Sequence, residues 1–195
     1  MKYGLFGGTF DPPHLGHTHI ASAAMEKLAL DEVVWIPSSK NPLKRGKPAP
    51  ARMRLEMCRL AVRGLERMAV SDVETSRHGS SYLIDTLEEM KMVMPGTYWF
   101  IAGIDALEQF PKWKSPEKLL QQCRFAVFAR PGTDLQSALP RLGPDLVRCI
   151  DLVEAPLKGV SSSNIRDMAR KGEDFSHLVA PAVHDYIKSN GLYTD

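Results

Sequence analysis

The chain lacks several features, and each absence removes a class of function. No run of 18 apolar residues occurs, so a membrane-spanning helix is not expected, and no basic stretch leading into an apolar run follows Met1, so an export leader is not expected either. Cysteine is scarce. Cys58, Cys123 and Cys149 stand far apart with no CxxC pairing, which argues against a disulfide framework or a zinc ribbon and fits a reducing cytoplasm. An excess of one charge is also missing: 25 Lys and Arg against 23 Asp and Glu leave a net charge of +2, too small to imply a nucleic-acid or membrane partner. Neither GxGxxG nor GxxxxGK[ST] follows the first apolar run, so the dinucleotide fingerprint and the P-loop do not apply. There is no internal repeat and no low-complexity tract.

What is present begins at the N-terminal end. Lys2 to Phe6 reads as a short buried strand stopped by Gly7-Gly8, and Ile20, Ala24 and Leu28 recur at helical spacing, so a helix is expected to begin near Gly16 or His17. Strand, glycine turn and helix start make a phosphate cradle, because free N–H groups and the positive end of the helix dipole face whatever lies over the turn. Gly7, Gly8 and Gly16 let the backbone approach a ligand. His14 and His17, three apart at the helix start, can reach one phosphate with ring N–H donors. Zinc ligation is one alternative for two such histidines, but it needs a further ligand that the dispersed cysteines do not supply; packing or capping at the helix start is the other, set against three glycines nearby.

The rest of the chain alternates between strands and helices. Apolar runs at Val33 to Ile36, Ala69 to Val73, Tyr98 to Ala102, Phe125 to Ala129 and Val147 to Val153 are expected strands. Helices are expected over Arg52 to Met68, after a Ser80 or Ser81 cap, over Ala106 to Phe110, after Ser115-Pro116, weakly over Leu135 to Leu142, from the Ser161 region to Gly172, and over Pro181 to Ser189. The Leu83, Leu87, Met90, Met94 stripe reads as core. With 195 residues and 44% apolar content, one domain spanning 1–195 is expected, its closing helical part at roughly 161–195. The predicted class is α/β: a Rossmann-like, doubly wound parallel sheet in three layers, binding ligands over the carboxyl ends of its strands.

Four further segments carry candidate binding residues. The polar, basic loop 38–50 carries Lys44 where open α/β sheets bind ligands. Gly103-Ile104-Asp105 ends a strand, and Asp105 either accepts from a ribose hydroxyl or caps the short helix that follows. Trp113, flanked by Lys112 and Lys114, either stacks on an aromatic ligand or folds back on the surface as packing. Ser161-Ser162-Ser163-Asn164-Ile165-Arg166 opens a helix, where the serines can cap while hydroxyls and an arginine form a second anion site.

GGTFDPPHLGH resembles the HxGH signature of the nucleotidyltransferase superfamily. Together with SYLIDTL, GIDAL, the Trp113 segment, FARPG and VSSSNIR, in that order, the chain from Lys2 to about Tyr193 is similar to the bacterial nicotinate mononucleotide adenylyltransferase family. The resemblance implies that ATP and nicotinate mononucleotide are the substrates and that His14, His17, Lys44 and Arg166 are the catalytic set. It assigns Gly7, Gly8, Thr9, Phe10, Gly103, Asp105, Ser162, Ser163 and Ile165 to ATP, with Asp105 on the ribose. Thr9, Lys44, Tyr82, Leu83, Thr86 and Trp113 fall to the mononucleotide, the last four around its pyridine ring. Three departures from the family pattern stand out: Leu83 and Ser163 replace threonines, and Asn41 and Leu43 break a Pro-Pro-His-Lys run.

The chemistry implied is direct attack of the mononucleotide phosphate on the ATP α-phosphorus. A phosphate monoester, with its second pKa near ~6, is already anionic at neutral pH and needs no general base. Mg²⁺ is expected to ride on the ATP oxygens and to need no protein cage. Monomer and homo-oligomer both remain open. Two readings from other classes stand beside this one: a nucleotide-binding regulator without turnover, and a dinucleotide-dependent oxidoreductase.

Overall fold

β-Branched and aromatic residues between turn signals set the strands, and the order of their pairing sets the site. The computed structural model describes residues 1–40, 47–77, 79–128, 138–154 and 159–194. In chain order it forms β1 (Lys2–Gly8), α1 (Leu15–Leu28), β2 (Glu32–Pro37), α2 (Ala51–Val62), β3 (Met68–Val70), α3 (Leu83–Val93) and β4 (Thr97–Gly103). There follow α4 (Ile104–Leu107), α5 (Pro116–Gln122), β5 (Arg124–Phe128), α6 (Pro144–Arg148), β6 (Ile150–Leu152), α7 (Ser162–Lys171) and α8 (Pro181–Ser189). All strand pairs are parallel, in the order β3-β2-β1-β4-β5-β6. The chain winds outward in one direction from β1 and then in the other from β4, so the topological switch point, where open sheets bind ligands, lies between them.

Strand alternation divides the core into two layers. Leu5, Val34, Ile36, Tyr98 and Val127 face one side, against Ile84, Leu87 and Met90 of α3 and Leu119 of α5. Phe6, Val33, Trp35, Ile101 and Ala126 face the other, against Ile20, Ala21, Ala24 and Met25 of α1 and Cys58 and Val62 of α2. Helices on both faces are the reason these strands read as near-continuous apolar runs. A third cluster joins Met57 and Ala61 of α2 to Ile165 and Ala169 of α7, Phe175, and Val183 and Ile187 of α8. That cluster seats α7 against the rest of the molecule.

Several expected boundaries move, each for a local reason. The helix expected to run to Met68 ends at Val62: Arg63 is extended, Gly64 takes φ +80°, and Leu65 is left exposed. The strand expected over Val147 to Val153 is shortened to β6, because Pro144 after Gly143, itself at φ +80°, starts α6 and carries Val147 into it. Cys149 is therefore the end of a helix and not a strand residue. α3 starts at Leu83 with Tyr82 as its cap residue. Ser81, expected as a cap, instead pins the loop after β2: its N–H donates to Lys40 O at 2.9 Å and its hydroxyl accepts Ser39 N–H at 3.0 Å. The helix expected at Ala106 to Phe110 occurs as α4 followed by a 3-10 turn at Phe110–Lys112, and a 3-10 turn, Leu139–Leu142, occupies the described part of 135–142.

Candidate active site

The cradle is built by the passage from β1 to α1. Phe10 takes a left-handed conformation, φ +49°, and turns its ring into the core, where it stacks on Trp35 at 5.1 Å and meets Phe6 edge-on at 5.3 Å. Its side chain is thus packing, and only its backbone faces the cradle. His14 occupies the position before α1, with extended backbone. The His14 and His17 rings stack, centroids 3.7 Å apart and planes 24° from parallel. His17 Nδ1 accepts the N–H of His14 at 3.2 Å, so the ring proton of His17 sits on Nε2 and makes that atom a donor. Face-to-face rings present their nitrogens side by side, unlike two ligands converging on one metal. A larger residue at Gly16 would force its neighbours to shift: a Cβ there would stand 2.8 Å from Val160 Cγ1 and 3.0 Å from the His14 ring.

α7 meets this cradle at its first turn. Ser162 Oγ donates to Pro12 O at 2.8 Å, and Arg166 Nη1 donates to Asp11 O at 2.7 Å. Arg166 Nη2 reaches Ser163 Oγ at 3.3 Å, and the guanidinium lies 3.7 Å from the Asp11 carboxylate. Capping falls to Ser161, whose Oγ accepts Asn164 N–H at 3.1 Å. Ile165 is fully buried in the third cluster, so it contributes backbone and not side chain to this surface. The serine-rich stretch thus divides its work: one hydroxyl caps while two, with Arg166, face the β1–α1 turn.

Asp11 is the hub that the sequence reading left without a role. Its carboxylate accepts Tyr193 OH at 2.8 Å and Ala49 N–H at 3.1 Å, while Arg166 approaches from the side. Burial and the neighbouring Asp11 carboxylate push the Tyr193 phenol well above its ordinary range, so it stays a donor. A cleft of about 360 Å³ opens beside these groups, lined by Asp11, Lys47, Arg166, Arg170 and Tyr193 among others. Tyr193 carries no local sequence signal, since it lies 182 residues from its partner.

The residues that the resemblance assigns to the pyridine ring lie on the side of the sheet that holds the first core cluster. Tyr82, Leu83, Phe100 and Trp113 are half-buried against the first core cluster. Lys114 joins them: its ammonium lies 5.1 Å from the Tyr82 ring centre and 2.7 Å from Asp85 Oδ1. Trp113 is more enclosed than its polar segment suggests, packed at 5.7 Å on Phe100 and 5.4 Å on Phe110. Its Nε1 is buried without a hydrogen-bond partner among the described residues, as are Thr9 Oγ1 and Ser38 Oγ at the ends of β1 and β2. Such groups are costly to leave unmet. Thr86 is fully buried, its hydroxyl donating to Glu74 Oε1 at 2.7 Å and accepting from Arg77 Nη2 at 3.1 Å, so it supports the α3 start from behind. Burial raises the Glu74 carboxyl above its ordinary value, against the pull of the Ser81 and Thr86 hydroxyls and of Arg77.

Gly103 ends β4 and is the cap residue of α4, so Asp105 sits in the first helical turn, exposed. Lys44 and the Arg-Pro-Gly of the FARPG segment lie outside the described residues. Among the described residues no three His, Cys, Asp or Glu side chains gather as metal ligands, and no helix is long and apolar enough to cross a membrane.

Comparison with known proteins bears on the same features. The cytidylyltransferase-like family model matches residues 5–168. A probable nicotinate-nucleotide adenylyltransferase of Shouchella clausii is 39% identical over 196 residues, covering 100% of this chain and 97% of that protein. One from Dehalococcoides mccartyi is 36% identical over 202 residues, covering 99% and 97%. Among solved structures, Plasmodium falciparum nicotinic acid mononucleotide adenylyltransferase complexed with NaAD superposes with a TM-score of 0.80 at 21% identity, covering 98% of this chain and 97% of that one. At that identity the structural likeness speaks to the fold, which is the doubly wound sheet expected from the sequence.

Proposed function

The chain belongs to the cytidylyltransferase-like family, and on that premise we propose that it is a nicotinate-nucleotide adenylyltransferase, joining ATP and nicotinate mononucleotide to give deamido-NAD and pyrophosphate. The observation that carries the site is the junction of two helix starts. Ser162 and Arg166 of α7 bind the backbone of Pro12 and Asp11, two and three residues ahead of His14, whose ring stacks on His17 at the start of α1. N–H donors, two imidazoles and a guanidinium thereby converge over the carboxyl end of β1, the arrangement a polyphosphate requires.

In this reading His14, His17 and Arg166, with Lys44, stabilise charge on the departing pyrophosphate, while Gly7, Gly8, Thr9 and the Phe10 backbone cradle the reacting phosphates. Ser162, Ser163 and the Ile165 backbone hold the ATP phosphates, and Gly103 and Asp105 meet the adenosine ribose. Tyr82, Leu83 and Trp113 enclose the pyridine ring, and Thr86 acts behind them. No covalent intermediate is needed. The acceptor phosphate is already an anion, and catalysis consists of in-line placement of two mutually repelling groups and fixed donors for the leaving group.

Mg²⁺ suits this chemistry as an ion held by the ATP oxygens and water, since the nearby Asp11 carboxylate is already engaged by Tyr193 and Ala49. Bound there it supplies further neutralisation of the pyrophosphate. The test is product analysis with ATP, Mg²⁺ and nicotinate mononucleotide: pyrophosphate and deamido-NAD are expected in equal amounts. Nucleotide binding without pyrophosphate release would favour a regulator, and hydride transfer would favour an oxidoreductase.

A further inference from the structure

Arg54 is a cation on the buried face of α2. It is 1% exposed, on the same face as Met57, Cys58 and Ala61. Its guanidinium makes three hydrogen bonds, all to main-chain carbonyls: Nη1 to Thr9 at 2.7 Å, Nε to Ala49 at 2.8 Å and Nη2 to Ser39 at 3.3 Å. Burial lowers its pKa and the Asp11 carboxylate opposes that, but a guanidinium keeps its proton under any ordinary condition. A buried charge is expensive, and an apolar side chain would fill this face of α2 without that cost. What only a planar five-donor group does is hold three carbonyls at fixed separations.

Those carbonyls are not arbitrary. Thr9 belongs to the cradle, and Ser39 and Ala49 are the two ends of the loop that leaves β2. The same tie is made a second time, since Ala49 N–H donates to the Asp11 carboxylate at 3.1 Å. It also extends to the start of α3, since Ser39 N–H donates to Ser81 Oγ. We infer that Arg54 is a positioning residue that clamps the phosphate cradle to both ends of the 39–49 loop and so sets the alignment of the two reacting phosphates. The inference rests on the adenylyltransferase reading for its kinetic consequence and on the geometry alone for the clamp. A displacement of about 1 Å between reacting groups is enough to lower a rate by about 10²-fold, so a clamp remote from the reacting atoms acts on kcat.

The experiment compares wild type with Arg54→Lys, which keeps the charge but loses the fork, and Arg54→Gln, which keeps a planar amide but loses the charge. Circular dichroism and Tm establish folding. Initial rates are measured with each substrate varied, and deuterium exchange is followed at the amides of 9–17 and 47–50 without ligand. For Arg54→Lys, a folded protein with kcat lowered about tenfold or more is expected, KM for each substrate within about threefold of wild type, and faster exchange in both segments but not in the strands. A lowered Tm with wild-type kcat would overturn the inference, as would unchanged exchange in both segments. Failure of both variants to fold would also overturn it, since Arg54 would then serve the fold. A wild-type protein without turnover removes the adenylyltransferase reading alone, and the exchange data then decide whether the clamp exists.

Discussion

Replacing His17 with alanine is expected to lower kcat by about 10²-fold or more while the protein stays folded. The magnitude follows from what a fixed donor contributes where charge develops, about 2.7–4 kcal/mol for one such group in a water-poor site. His17 is suited to that role because its Nδ1 is occupied by the His14 N–H, which commits the ring proton to Nε2. The stacked His14 ring and the edge of Phe10, 5.0 Å away, hold the imidazole in one orientation. The substitution also removes an acceptor at the start of α1, a loss of about 1 kcal/mol in stability. Tm should therefore fall by a few degrees, far too little to account for the rate. Near-wild-type turnover with a native circular dichroism spectrum would remove His17 from the mechanism.

Arg166→Lys is expected to lower kcat/KM for ATP about tenfold or more, and Arg166→Ala further. Capping of α7 is already performed by Ser161, so a structural role at the helix start does not explain Arg166. Its Nη1 is spent on Asp11 O and its Nη2 reaches Ser163 Oγ, which fixes the plane of the fork at the wall of the cleft. Lysine retains the charge but cannot hold the Asp11 carbonyl and present a flat pair of donors to a phosphate at once. Unchanged KM for ATP and unchanged kcat in the lysine variant would assign Arg166 to the architecture of the Asp11 turn instead of to ATP.

The parts of this site that the sequence displays are those written in local rules. Gly7-Gly8, the His14 and His17 spacing and the Ser161 to Arg166 stretch each state a backbone requirement within a few residues, and each is found at a strand end or helix start. What is not displayed depends on distant packing. Trp113 sits in a polar segment, yet Phe100, Phe110 and Phe125 from separate elements enclose it. Tyr193 reaches Asp11 only because the third cluster seats α7 and α8 on α2. Arg54 did leave a signal, a charge in phase with Met57, Cys58 and Ala61, and a cation on an apolar stripe is worth a question wherever it occurs. Element bounds differ from the expected ones at two positive-φ glycines: the helix expected to reach Met68 ends before Gly64, and the strand expected from Val147 starts late because Gly143-Pro144 opens α6.

The central claim is adenylyl transfer to the acid form of the pyridine mononucleotide, and it turns on a part of the site with few charges. Lys114 is paired with Asp85 beside Tyr82, and Leu83 offers no hydroxyl, so in the proposed site discrimination falls to main-chain N–H donors near Leu83 and Trp113. Donors favour a carboxylate and disfavour an amide that presents its own NH₂ to them. The measurement is kcat/KM for nicotinate mononucleotide and for its nicotinamide counterpart on one preparation with saturating ATP and Mg²⁺. A preference of at least about tenfold for the acid, or ~1.4 kcal/mol of transition-state discrimination, is the expected result; a smaller ratio, or one favouring the amide, would contradict it.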